Sequence, residues 1–250
     1  MVNEKPIIIG VGGLLERGER GKVTDLLDIL SKQYGCATYE VGFSSITRNG
    51  DNIICAVSEK GQENVHEAIT HALNDERNNP SRIGIITSSM GAVPVSELIA
   101  SNNLLCSGLR AYAAIAPFTK IHPLARKYIE TLLTKEEDLE FGSPIDKERG
   151  IRRILPAKNI PYILGIDLAD TVKAIPSEYN FKTLTLFARS DERVDINTTA
   201  AYHAALRGNA ESLIGFETKH AIPYEIVRKP IIDFITSVLD LTAAEQSTAS

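Results

Sequence analysis

The chain has 250 residues, 43% of them hydrophobic and 24% charged, with a formal net charge of −5 at pH 7. That balance belongs to a globular protein of one large domain with an insertion, or of two small domains, and it excludes the basic footprint of a nucleic-acid binder. Three cysteines, Cys36, Cys55 and Cys106, are an odd number without Cys-x-x-Cys spacing, which argues against a disulfide framework or a zinc site and fits a reducing compartment.

The opening MVNEKPIIIG holds too short an apolar run for a secretory signal. No stretch approaches a membrane span, so a cytoplasmic protein is expected. Pro6 to Val11 reads as a buried strand ending in Gly12-Gly13, followed by a charged, glycine-punctuated loop. A helix follows from about Val23 to Gln33, with Val23, Leu26, Leu27 and Leu30 on one face. Ala37 to Phe43 alternates as a strand, Ser44 to Asn52 reads as loop, and Ile53 to Val57 is either a short strand or buried loop. Cys36 and Cys106 lie in or beside apolar runs and read as small core residues. Glu63 to Asn74 is a helix, and Asn79-Pro80 marks a break before the next strand.

Ser81 to Ser96 then reads as a buried strand, a tight turn carrying Ser88 and Ser89, and a helix running to about Ala100. This is a loose form of the G-x-S-x-G turn that lifts a nucleophilic serine on a strained strand-to-helix corner. Small residues are needed two positions before and after such a serine, because the backbone folds back on itself. For Ser88 those positions are Ile86 and Met90, both too large; for Ser89 they are Thr87 and Gly91. The steric argument selects Ser89.

Leu109 to Pro117 is a further strand. The region from about Phe118 to Pro176 is different: proline-punctuated, charged and partly helical. Strand character returns over Phe181 to Ala188. A helix follows from Ile196 to Leu206, with Gly208 as its stop. Ser212 to Glu217 is a last short strand, Ile226 to Leu241 a closing helix, and 242–250 a frayed tail. Strands alternating with helices predict an α/β fold. Its mostly parallel central sheet, of about six strands, has helices on both faces and a helical cap inserted after the strand at 109–117. The core is then 1–117 with 177–250, and the cap 118–176. Ligands of such sheets bind beyond the carboxyl ends of the strands, which gathers Gly12-Gly13, Ser89, Asp191 and His220.

A serine that attacks a carbonyl needs a base, an acid to orient it, and donors for the oxyanion. Of the five histidines, His66 and His71 lie five apart on one helix and read as surface or packing residues. His203 sits within a helix, and His122 opens the inserted region and is kept as a candidate substrate contact. His220, just past the last strand, is the candidate base. Asp191 is the first acid after the Phe181 strand; Glu192 and Asp195 are its rivals, with Asp195 the better helix cap. The N–H of Met90 and that of Gly13 or Leu14 are the candidate oxyanion donors, with Gly12 of the same turn a candidate substrate contact. The pattern Gly10-x-Gly12 lacks the third glycine of a dinucleotide site, since Leu15 stands there. Arg17 and Arg20 either meet a carboxylate on a substrate or belong to a solvated loop.

On these residues the chain resembles the α/β-hydrolase superfamily. The order Ser89, Asp191, His220 matches that family's order of nucleophile, acid and histidine, and the turn SDERV is similar to its acid turn. The match runs from the first strand to the closing helix. Thr87 replaces the first glycine of the elbow, Val11 stands where many members have a histidine, and the first strand corresponds to the family's third. The resemblance implies a serine hydrolase that cleaves a carboxylic ester or thioester of a small-molecule acyl substrate through an acyl-enzyme, with no metal or organic cofactor. An acyltransferase or peptidase with the same triad, a catalytically silent binding protein of the same fold, and a homo-oligomer stay open.

Overall fold

The apolar run Pro6 to Val11 forms the inner part of β1 (Lys5–Val11), and the amphipathic stretch after it forms α1 (Lys22–Tyr34). The computed structural model describes residues 4–13, 21–42, 44–49, 52–57, 59–101, 107–141, 148, 150–176, 179–206 and 210–243. The chain continues through β2 (Ala37–Val41), β3 (Ser44–Asn49), β4 (Asn52–Val57), α2 (Glu59–Asn74), β5 (Asn78–Ser88), α3 (Ala92–Ser101) and β6 (Leu109–Ile115). Next come α4 (Pro123–Thr134), β7 (Leu139–Phe141), β8 (Arg152–Leu155), α5 (Ile160–Gly165) and α6 (Leu168–Thr171). The last elements are β9 (Lys182–Ala188), α7 (Ile196–Ala205), β10 (Ala210–Phe216) and α8 (Tyr224–Val238).

Six strands pair in the order β10-β9-β6-β5-β1-β2, and every pairing is parallel. A parallel sheet must be covered on both faces, so its inner strands β1 and β5 are apolar on both sides rather than alternating. On one face Ile8, Ile86, Ala113 and Leu186 pack with Leu26 and Leu30 of α1 and with Val227, Ile231 and Ile235 of α8. On the other, Ile7, Ile9, Ile83 and Ile85 pack with Val65 and Ile69 of α2, Val93 and Ile99 of α3, and Tyr202 of α7. Each fully buried isoleucine contributes about 1.5–3 kcal/mol. The strand ends that carry the loops are therefore anchored in two continuous apolar layers. Cys36 is in the first of these, and burial, opposed by the charge of Arg82, pushes its thiol up to about 11.

A second sheet, absent from the sequence reading, has the order β3-β4-β8-β7. β3 and β4 form an antiparallel pair, β8 joins β4 in parallel, and β7 pairs antiparallel with β8. Ser44 to Asn52, read as loop, is thus mostly β3, and the undecided Ile53 to Val57 is strand. The insertion between β6 and β9 carries helices as expected, and two strands besides. Strand pairing between β4 and β8 is non-local, so neither segment shows it by itself.

Two boundaries move for local reasons. The Asn79-Pro80 break is internal to β5, whose pairing with β1 jumps from Pro6↔Asn79 to Ile7↔Ile83. The proline sits in that irregularity, where no ladder N–H is needed. The closing helix stops at Val238 rather than Leu241, and the chain leaves it through Asp240 in the left-handed region at φ 49°. Cys106, Gly208 and the tail from 244 lie outside the described residues. No helix among the described residues is long and apolar enough to cross a membrane.

Candidate active site

The buried strand β5 delivers the chain to Ser89, which adopts a left-handed φ of 48° and opens a single 3₁₀ turn, Ser89–Gly91, that runs into α3. A non-glycine residue held there costs about 1–3 kcal/mol, so the surroundings must over-determine it. One restraint is the Phe118 N–H, which donates to the Ser89 carbonyl at 3.1 Å. Another is the space at Gly91. A Cβ there would run into the Val11 carbonyl oxygen and lie 2.6 Å from that of Gly12, both rigid backbone. Gly91→Ala is therefore expected to cost about 3 kcal/mol, the upper end for overpacking, and to lower the melting temperature of the whole domain. An unchanged melting temperature would show that the elbow and the Gly12 turn can separate freely. Thr87, on the other flank, is fully buried, with its hydroxyl 3.2 Å from that of Tyr112.

His220 and Asp191 arrive on the loops after β10 and β9. Backbone bonds prolong the β9–β10 pairing past the strands: Arg189 N–H donates to the Phe216 carbonyl at 2.8 Å and Ser190 N–H to that of Thr218 at 3.1 Å. The two loops therefore leave the sheet side by side. Ser89 Oγ lies 2.8 Å from His220 Nε2, and His220 Nδ1 lies 2.7 Å from Asp191 Oδ2. The other carboxylate oxygen of Asp191 accepts the Arg193 and Val194 N–H groups at 2.8 and 3.0 Å. The side chains of His220 and Asp191 are 8% and 7% exposed. Burial acts to raise the Asp191 pKa. The hydrogen bond from His220, the electrostatic attraction of its ring and the two backbone donors outweigh it, and the carboxyl stays below its ordinary value. An ionised carboxylate only accepts, so Nδ1 carries the imidazole proton and Nε2 is left to accept from the Ser89 hydroxyl.

The acid loop is fastened from its outer side as well. Ile121 bridges Val194, the His122 N–H donates to the Arg193 carbonyl at 2.8 Å, and the Asp195 N–H donates to that of Lys120 at 3.2 Å. Asp195 caps α7, its carboxylate accepting from Asn197 N–H at 3.0 Å.

Ser89 and His220 open onto a cavity of about 330 Å³. Its wall is mainly apolar, and the apolar part comes mostly from the inserted segment, with Phe118, Ile121, Ile129, Phe141, Leu155 and Ile163 among the lining residues. Met90 and Gly13 border the same space. Gly13 lies tight against the elbow, where an added Cβ would be 3.2 Å from that of Ser89. Gly12 is one residue back, with its carbonyl against Gly91. Leu14, Arg17 and Arg20 lie outside the described residues. His122 is not brought to the cavity wall: it caps α4, its Nδ1 accepting from Leu124 N–H at 3.3 Å. His66 and His71 are exposed, and His203 is buried with Nδ1 2.8 Å from the Thr185 hydroxyl. Sequence reasoning missed Lys22 and Arg193, two cations on the cavity wall. Arg193 was within reach of it, as a side chain two positions after the candidate acid.

No protein-family model matches the chain, and no curated protein matches it in sequence. Solved structures match in shape. The α/β hydrolase GrgF of a Penicillium species superposes with a TM-score of 0.62 at 13% identity, over 96% of this chain and 92% of that one. The enol-lactonase of Burkholderia xenovorans superposes at 0.58 and 13%, over 93% and 92%. A soluble variant of the monoglyceride lipase of Saccharomyces cerevisiae, in complex with a substrate analogue, does so at 0.64 and 10%, over 96% and 88%.

Proposed function

We propose that this chain, which has the α/β-hydrolase fold, is a serine hydrolase that cleaves carboxylic esters or thioesters with an apolar acyl group. The observation that carries the reading is the unbroken chain of hydrogen bonds from Ser89 through His220 to Asp191, opening onto an apolar cavity. Ser89 Oγ attacks the acyl carbon while His220 Nε2 takes its proton. Asp191 keeps the imidazole in register and stabilises the imidazolium that forms. The negative charge that grows on the acyl oxygen meets the backbone N–H of Met90, at the start of a helix, and a second N–H from the Gly12-Gly13-Leu14 turn. Collapse of the tetrahedral intermediate expels the alcohol or thiol, which leaves with the proton from His220. A water then gives its proton to His220 and attacks the acyl-enzyme; the bond to Ser89 Oγ breaks, the serine takes the proton back from His220, and the freed acid departs.

The apolar wall favours a hydrocarbon or aromatic acyl group, since each buried methylene adds about 0.8 kcal/mol of binding. The segment between β6 and β9, braced by the β3–β4 pair, serves as the cap over that group. The named lipase and lactonase with this fold support ester bonds as the substrate class. The experiment is labelling with a fluorophosphonate followed by peptide mapping. One adduct per chain on Ser89 is expected; a folded protein without an adduct, or with one on another serine, would overturn the assignment.

A further inference from the structure

Beneath the elbow four hydroxyl groups form one buried chain. Thr87 Oγ1 is 3.2 Å from the Tyr112 hydroxyl, which is 2.8 Å from that of Tyr202, which is 3.0 Å from Ser96 Oγ. All four side chains are fully buried. They come from four different elements, β5, β6, α7 and α3. Burial pushes both phenols up, so they stay protonated and act as neutral donors and acceptors. None of the four lines the cavity.

The place where the chain begins gives it a use. Thr87 stands two residues before Ser89, where the resembled family has glycine. A glycine needs no anchor for a side chain. A threonine brings a hydroxyl that must be paired once buried, and Tyr112 pairs it. Fully satisfied buried networks of this kind hold the elements they join in one arrangement. Here the elements joined are the strand that delivers Ser89 and the helix that leaves it.

We infer that Thr87 and Tyr112 are positioning residues: the bond between their hydroxyls holds the end of β5 so that Ser89 Oγ stays within hydrogen-bond reach of His220. Tyr202 and Ser96 complete the anchor by tying Tyr112 to α3. The inference rests on the hydrolase reading. It accounts for how a threonine occupies the tight side of the elbow, through two tyrosines far from it in sequence and Ser96 of the helix that follows.

The test uses the full chain, with p-nitrophenyl butyrate hydrolysis and the rate of fluorophosphonate labelling as readouts. Tyr112→Phe keeps the ring and removes only the hydroxyl. It is expected to lower kcat and the labelling rate about fivefold, with KM within twofold. Thr87→Val should do the same. The double variant should lose no more than Tyr112→Phe alone, because both single changes break the Thr87–Tyr112 bond. In a Thr87→Gly background, Tyr112→Phe should change neither rate. A Tyr112→Phe protein that melts earlier but keeps its kcat and labelling rate would overturn the inference, as would losses that multiply in the double variant. If Tyr112→Phe does not fold, Thr87→Val decides: full activity there overturns it. Labelling of Ser89 in the wild type is the separate control for the hydrolase reading.

Discussion

Replacing Ser89 with alanine is expected to cut ester hydrolysis by about 10⁴-fold or more while the protein stays folded. The size follows from the role. A nucleophile has no substitute, and removing one member of a serine triad leaves only the rate supplied by the oxyanion donors and by binding. At 1.36 kcal/mol per factor of ten, 10⁴ is about 5.5 kcal/mol of transition-state stabilisation. The fold has little reason to respond. Among the described residues the Ser89 side chain bonds to His220, and the turn is held by the Ser89 carbonyl and by Gly91 instead. Turnover with p-nitrophenyl butyrate and a thermal melt check both halves. Undiminished hydrolysis in the variant would sink the serine mechanism.

Asp191→Asn should cost about 10⁴-fold in kcat for a different reason. An amide is close to the carboxylate in size, but its NH₂ group can donate to Nδ1, which moves the imidazole proton to Nε2, the atom that must accept from Ser89. The same change alters the response to acid. The folded Asp191 has a lowered pKa, so its ionised form contributes stability that is whole above the unfolded carboxyl value of 3.8. That contribution drains as pH falls from there through the lower folded value. The Asp191→Asn protein has no such carboxylate. The stability gap between the two, read from urea unfolding, should be constant above about pH 5 and narrow at about pH 3. A gap independent of pH would mean that Asp191 gains nothing from its ionised state in the fold.

Much of this architecture is written locally. The runs PIIIG and IGIIT are apolar on both sides and read as inner strands of a covered sheet, and the structure has them as β1 and β5; TLTLF alternates threonine with leucine and is β9. The frame at Ser88-Ser89 was legible from sterics alone, because a turn that tight excludes Ile86 and Met90 from its flanks. The structure puts the left-handed φ on Ser89. What could not be read depends on distant partners. The segments SSITRN, LEF and RRIL are short and partly polar, and they become strands only against one another. The place of Thr87 in the elbow likewise depends on Tyr112 and Tyr202, which nothing near it in the chain announces. His122 opens the insertion where a substrate contact was expected, but its ring is committed to the N-terminus of α4.

The β4–β8 pairing makes the inserted segment non-modular. A lid confined to one insertion could be cut out or exchanged with that of a relative by two joints in the chain. Here β7 and β8 of the insertion share a sheet with β3 and β4, which come before β5 in the chain. Excising the insertion would strip β4 of its parallel neighbour and leave a bare strand edge, ready to pair with another molecule. A graft that respects this fold has to carry the β3–β4 pair with it, as four joints rather than two.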